Sequence, residues 1–134
     1  MSALAFPYGP ESARRARRRL GQELEALGVP PECVADAELC LSELVGNAVR
    51  HGRPLPDGSL RAEWQIGPSV VRLAVLDGGE DASLLTARHA ASEATSGRGL
   101  TIVGAIARRW GAEADPLGIR VWADVTLGSA RPRR

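Results

Sequence analysis

The chain has 134 residues, of which 44% are hydrophobic and 25% are charged, and its 17 basic residues against 16 acidic ones give a formal net charge of +1 at pH 7. These values predict one soluble globular domain and exclude a disordered chain or a membrane-spanning one, and the lack of any lysine excludes lysine-dependent chemistry. The first residues do not have the charged and apolar segments of a secretion signal, so we expect a cytoplasmic protein.

The charge is distributed unevenly along the chain. Residues 1–21 carry five arginines and one glutamate, residues 128–134 carry three arginines, and the residues between them have a net charge of −6. We expect residues 1–127 to form a single domain and residues 128–134 to be a disordered basic tail. The acidic body disfavours nucleic acid as a partner, because the positive charge would have to come from the two ends alone.

Hydrophobic periodicity predicts two helices in the first half of the chain. The first begins near Pro10 and ends before Gly28, and the second begins at Pro30–Pro31 and ends at Gly52. Residues 4–6 are expected to add an edge strand. Cys33 and Cys40 lie seven residues apart on the second helix, about 10 Å along its axis, which is too far for a disulfide.

The second half of the chain alternates between strand and helix patterns. Strands are predicted over 60–66, 70–76 and 119–127, a loop over 80–98, and a third helix from Gly99 to Trp110 with Arg108 and Arg109 at its negative end. Gly111 is expected to stop this helix. The order of elements predicts an α+β two-layer sandwich, in which one mostly antiparallel mixed sheet carries three helices on one face.

Three short motifs carry residues suited to nucleotide chemistry. On the second helix, Glu43 and Asn47 are four residues apart and are predicted to lie opposite the apolar stripe, where a carboxylate could move a proton and an amide oxygen could bind Mg²⁺. Asp77 and Gly79 follow the most apolar strand, where the carboxylate could accept a hydrogen bond from an exocyclic amine. The segment Gly97-Arg98-Gly99-Leu100 opens the third helix and could form an anion site. Taken singly, each motif is also compatible with a solvated helix face, a strand-ending turn or a flexible hinge.

The order and spacing of the three motifs resemble the ATP-binding domain shared by gyrase, histidine kinases and the MutL repair proteins, which is the GHKL or Bergerat fold. Residues 42–52 and 97–100 look like the compact branch of anti-sigma-factor serine kinases. The resemblance covers residues 10–127.

This resemblance implies ATP and Mg²⁺ as cofactors and a role for each motif residue. Asn47 would coordinate Mg²⁺, Glu43 would be the general base, and Asp77 would bind the adenine amine. At the remaining motif positions, the resemblance implies that the chain lies close to the adenine base and the phosphates. These positions are Gly79, Gly97, Arg98, Gly99 and Leu100. A lid at about residues 80–98 would cover the nucleotide. It also implies a homodimer.

The implied activity is that of a serine/threonine protein kinase that phosphorylates an antagonist protein and sequesters a sigma factor. The chain departs from the family's Asp-x-Gly-x-Gly pattern, because Asp81 stands where the second glycine belongs and Glu80 precedes it. An acidic lid favours the alternative, a nucleotide-gated protein-binding module without significant kinase activity. A detached histidine-kinase catalytic domain is disfavoured, since the chain contains no phospho-accepting helical hairpin.

The first helix carries an arginine cluster that points to a protein partner. Five cations near a helix N-terminus oppose the helix dipole and repel one another, and only Glu11 and Glu23 are spaced to offset them. We therefore expect the cluster to bind an acidic protein; a solvated helix face is the alternative, and nucleic acid is the least favoured. Its members are Arg14, Arg15, Arg17, Arg18 and Arg19.

Overall fold

The computed structural model describes residues 1–79 and 99–128. The described elements in chain order are β1 (Ser2–Pro7), α1 (Glu11–Ala26), α2 (Pro31–His51), β2 (Ser59–Ile66), β3 (Val70–Asp77), α3 (Gly99–Ile106), β4 (Arg109–Asp115) and β5 (Gly118–Thr126). The predicted loop over 80–98 and the predicted tail at 129–134 lie outside the described residues. No helix in the described part of the chain is both long and apolar enough to cross a membrane.

The five strands form one open sheet in the order β1-β2-β3-β5-β4, and every pairing between described strands is antiparallel. The predicted edge strand is confirmed, since β1 pairs with β2. Alternating residues of β2, β3 and β5 point to one face, where they meet the apolar stripes of α1 and α2 and Val103 of α3 in a single core. The two-layer sandwich with three helices on one face is therefore confirmed.

A buried polar contact ties α1 to the sheet. The indole nitrogen of Trp64, a residue only 1% exposed, donates to Glu23 Oε1 at 2.9 Å, and the Ser2 hydroxyl donates to the same carboxylate at 3.2 Å. A buried indole N–H needs an acceptor. The Glu23 carboxylate therefore binds residues of β1 and β2. The ion pair between Glu23 and Arg19, which their spacing on the helix predicts, does not form.

The predicted third helix is too long. It ends at Ile106, because the Arg108 amide donates to the Asp124 carbonyl at 2.8 Å and so joins β5 instead of continuing the helix. Arg109 and Trp110 consequently begin β4, a strand that the sequence did not predict. Gly111 does not stop a helix but lies opposite Trp122, where a Cβ atom would be 3.0 Å from the indole ring.

The outer face of the sheet is held by ion pairs. Arg72 binds Asp124 through two hydrogen bonds of 2.7 and 2.9 Å, and its guanidinium lies 4.3 Å from the Trp122 ring centroid. Arg109 contacts the same carboxylate at 3.3 Å. The hydrogen bond from Arg72, together with the charges of both arginines, holds the pKa of Asp124 below its usual value even though burial opposes this.

Replacing Asp124 by asparagine is expected to lower the free energy of unfolding at pH 7 by about 1 kcal/mol, since the charge-assisted bonds are only partly shielded from water. Because the folded pKa is depressed, this contribution is present above the usual aspartate pKa of about 3.9 and is lost as the pH falls through the folded value. Urea unfolding of both proteins at neutral and acidic pH measures the loss of stability at pH 7 and its disappearance in acid. A wild-type advantage that persisted in strong acid would contradict this assignment, and the exposed Asp36→Asn is the control.

Candidate functional site

Helix α2 carries two of the residues singled out by the motifs, and the structure places them differently from the prediction. Asn47 is completely buried, whereas Glu43 is partly exposed. The expectation that both lie opposite the apolar stripe is wrong for Asn47. Three residues after buried Leu44, it is only about 60° away around the helix axis, so it lies at the edge of the stripe.

The side-chain amide of Asn47 has unsatisfied hydrogen-bonding capacity. Neither its Oδ1 nor its Nδ2 has a hydrogen-bond partner among the described residues. Leaving a buried polar group unpaired costs about 1–3 kcal/mol, so such a group in a native protein calls for an explanation. An amide oxygen is a ligand that Mg²⁺ accepts, and the donor set here fits that ion. The described residues hold no cluster of three or more His, Cys, Asp or Glu that could bind a metal.

The last turn of α2 is held by a residue that the sequence analysis missed. The Tyr8 hydroxyl donates to the carbonyl oxygens of Ala48 at 2.6 Å and Val49 at 3.1 Å. This shared contact joins the segment between β1 and α1 to the last turn of α2, where the Ala48 carbonyl also accepts the Gly52 amide at 2.8 Å. Tyr8 lies 40 residues before Ala48 in the chain, so no local pattern could have indicated the contact.

Asp77 ends β3 and is completely buried. Its Oδ1 accepts a hydrogen bond from the Gly79 amide at 2.7 Å, which forms a tight turn directly after the strand. The Gly78 amide donates to the Arg53 carbonyl at 2.7 Å, so this turn is also attached to the segment that follows α2. The structure therefore brings the Asp77 motif to the C-terminal end of the helix that carries Asn47.

Gly99 is the first residue of α3, as expected, and this helix packs against α2. The eight residues of α3 present a helix N-terminus, and the N–H groups of a first helical turn point outward along the axis, which suits an anion. Gly97, Arg98 and the side chain of Leu100 lie outside what the structure describes. Because α2 contacts both β3 and α3, it is the element to which all three motifs are attached.

The two cysteines of α2 form no disulfide, as predicted, and the structure shows that both are buried. Burial raises the pKa of the Cys40 thiol to about 12, with smaller contributions from the negative charges of Asp36 and Glu43. At neutral pH this thiol is not a nucleophile, because the thiolate is the reactive form.

The arginine cluster is carried by α1 and is distinct from the residues around Asp77. None of the five arginines forms an ion pair with another described residue, so the expected pair between Glu11 and Arg15 is absent. The Arg15 guanidinium lies 6.0 Å from the Phe6 ring centroid. A groove of about 240 Å³ runs beside them, and its lining residues are Phe6, Arg14, Arg15, Arg18 and Arg19.

Comparison with known proteins identifies a family whose model matches this chain and a solved structure with a similar fold. Residues 6–124 match the family model described as histidine kinase-like ATPase domain. No curated protein matches the chain. Among solved structures, the fold is similar to the crystal structure of the RsbU and RsbW domains of Rv1364c from Mycobacterium tuberculosis, with a TM-score of 0.64 and 22% sequence identity over 100% of this chain and 34% of that chain. At this identity the likeness shows the fold, and the chain spans about a third of the length of that protein.

Proposed function

This chain belongs to the histidine kinase-like ATPase domain family, and we propose that it is an MgATP-dependent serine/threonine protein kinase of the anti-sigma type. In this role it phosphorylates an antagonist protein and sequesters a sigma factor. The observation that carries the proposal is the buried amide of Asn47, which has no hydrogen-bond partner among the described residues and lies on the helix that also bears Glu43. The sequence resemblance to anti-sigma-factor kinases supports the choice of partners.

Each residue of the site has a proposed task in binding. The Asp77 carboxylate accepts a hydrogen bond from the adenine amine, and Gly79 allows the base to approach the backbone. Gly97, Arg98 and Gly99, with Leu100 following them, contact the phosphates at the start of α3. Asn47 would hold Mg²⁺ through its amide oxygen, and the ion would supply positive charge that stabilises the phosphates.

In the proposed transfer step, Glu43 orients the serine hydroxyl of the antagonist. The hydroxyl oxygen forms a bond to the γ-phosphorus while the bond from that phosphorus to the β–γ bridging oxygen breaks, so ADP leaves with the electron pair. The serine proton passes to the Glu43 carboxylate. A carboxylate on a partly exposed helix position can reach the acceptor of a second protein, which a buried one could not.

Replacing Glu43 by glutamine is expected to slow phosphotransfer by about 10²- to 10⁴-fold, which is the usual contribution of a general base, and to leave MgATP affinity almost unchanged. The assay follows radiolabelled phosphate from ATP to serine on a candidate antagonist protein, chosen from the genes next to the one that encodes this chain. The matched control is Glu32→Gln, an exposed position in the first turn of the same helix. Full transfer by Glu43→Gln would remove this residue from the mechanism.

The alternative is a nucleotide-gated binding module without significant kinase activity. Asp81 in place of the second motif glycine favours it, because added negative charge near a polyphosphate weakens binding or lid closure. The same assay separates the two functions. Phosphoserine on the partner supports the kinase, whereas MgATP that alters partner affinity without phosphate transfer supports the module.

The groove lined by Phe6 and the arginines is proposed as the docking surface for the acidic partner. Its arginines have no carboxylate partners among the described residues, so their charge is available, and long arginine side chains over an aromatic ring suit a protein interface. A neighbouring groove, which shares Arg14 and Arg18 with this one, also includes Glu25 and Glu38 and is the less suitable surface for an acidic partner.

Reversing the charge at Arg14 and Arg18 together is expected to weaken binding of the acidic partner about 10- to 100-fold at low salt, with a smaller loss at high salt. The same change relieves repulsion near the N-terminus of α1, so the variant should unfold at no lower temperature than the wild type. The control is Arg108→Glu, an exposed position between α3 and β4. Equal weakening by the control would show that total charge, not this groove, governs binding.

A further inference from the structure

Gly52 follows the last residue of α2 and is the last residue of the segment 42–52 that carries the family resemblance, but it has no role in the proposed function. Its φ of −97° and ψ of −155° are extended values that residues with a side chain also adopt, and its amide donates to the Ala48 carbonyl at 2.8 Å. The backbone conformation therefore does not explain a glycine at this position.

What explains it is the proximity of Asp77. A Cβ atom on Gly52 would lie 2.6 Å from Asp77 Cγ and closer still to Asp77 Oδ2, and it would lie 2.7 Å from the Ala48 carbonyl oxygen. Real Cβ atoms essentially never come within 3.0 Å of another heavy atom. The carboxylate cannot simply swing aside, because it is completely buried and its Oδ1 is bound to the Gly79 amide.

Two further glycines allow close main-chain contacts here, Gly118 with Asp77 itself and Gly78 with the segment that follows α2. A Cβ atom on Gly118 would lie 2.8 Å from the Asp77 carbonyl carbon, and one on Gly78 would lie 2.9 Å from the Pro54 carbonyl carbon. Three segments therefore meet around this residue with no side chain between them: the chain after α2, the end of β3 and the start of β5. Added side-chain atoms at Gly52 or Gly118 would therefore crowd Asp77 directly.

We propose that Gly52 is a positioning residue that sets the Asp77 carboxylate for recognition of a purine amino group. This inference rests on the proposed nucleotide-binding function. A methyl group at position 52 displaces the carboxylate, and a hydrogen bond weakens steeply once its donor and acceptor are pulled apart or misaligned. Helix α2 and the residue after it would then serve both parts of the site. Asn47 would bind Mg²⁺, and Gly52 would position Asp77 for the base.

The first test compares ATP with purine riboside triphosphate, which lacks the exocyclic amine, by calorimetric titration of the full chain. The wild type is expected to prefer ATP by at least about tenfold, and Gly52→Ala is expected to reduce that preference to less than about twofold while affinity for the amine-free analogue changes little. The control is Gly9→Ala, where no atom lies within 4 Å of the added Cβ and φ is not positive. A purely structural role would lower both affinities together, and an unchanged preference in Gly52→Ala would overturn the inference.

A second test does not depend on nucleotide. In a double-mutant cycle, Gly52→Ala is expected to lower the urea midpoint strongly in the wild-type background and in Asp77→Asn, whose side chain has the same shape as aspartate. In Asp77→Ala, which lacks the crowded atoms, Gly52→Ala is expected to lower the midpoint by less than half as much. Some loss remains in every background because the Ala48 carbonyl is also close. Equal losses in all three backgrounds would overturn the inference. If the wild type bound no ATP, the proposed function would fail while this cycle still decided the role of Gly52.

Discussion

Asp77→Asn is expected to bind MgATP about 10- to 100-fold more weakly than the wild-type protein, the effect of losing one hydrogen bond to a charged acceptor. The carboxylate offers two accepting oxygens, and one of them already receives the Gly79 amide at 2.7 Å. An asparagine offers one accepting oxygen, so its NH₂ group must face either the Gly79 amide or the adenine amine. Either arrangement places two donors against each other. Calorimetric titration of both proteins with MgATP measures the difference.

The outcome of that titration separates recognition of the base from recognition of the phosphates. The amine-free analogue should bind Asp77→Asn and the wild type with similar affinity, because it has no donor for the lost acceptor. An exposed aspartate provides the control, and Asp36→Asn should bind MgATP as the wild type does. Equal binding of MgATP by Asp77→Asn and the wild type would remove Asp77 from the adenine site.

Asn47→Leu is expected to have opposite effects on stability and on binding. Without nucleotide, the variant should be more stable by about 1 kcal/mol, since an apolar side chain of similar shape replaces a buried amide that has no partner among the described residues. With nucleotide, the increase in ATP affinity that Mg²⁺ produces should be lost, a change of about 10- to 100-fold. Urea unfolding and titration with ATP, in the presence of Mg²⁺ or of a chelator, measure the two effects.

Two results would contradict the role proposed for Asn47. One is that Asn47→Leu and Asn47→Ala are both less stable than the wild type, because this would mean that the amide has a partner that stabilises the fold. The other is an undiminished effect of Mg²⁺ on ATP affinity. A stabilised variant that no longer responds to Mg²⁺ is the pattern expected of a residue kept for function at the expense of stability.

Much of the fold could be predicted from local sequence patterns. The bounds of α2 follow from Pro31 at its start and Gly52 at its end, and β2 and β5 follow from strict alternation of apolar and polar residues. Helix geometry alone predicted that Cys33 and Cys40 do not form a disulfide with each other. These features were predictable because each depends on neighbours within a few residues.

The error at the third helix has a different origin. Arg108 to Trp110 continue a helical spacing of apolar residues, yet the Arg108 amide bonds to the Asp124 carbonyl and the chain becomes a strand. That partner lies 16 residues further along the sequence, and pairing with β5 satisfies backbone groups that a longer helix would have satisfied internally. Local periodicity could not distinguish the two solutions.

The sequence by itself determined the family, the two long helices, four of the five strands and the candidate residues for nucleotide binding, because these follow from residue type and spacing along the chain. Only the tertiary structure decided that Asn47 is buried with an unpartnered amide, that Tyr8 holds the last turn of α2, and that Gly52 abuts the Asp77 carboxylate. The physical reason is that burial and close contact depend on which surfaces the folded chain brings together. A period of 3.6 or 2 residues specifies which face of an element is apolar, but not which atoms of another element lie against it.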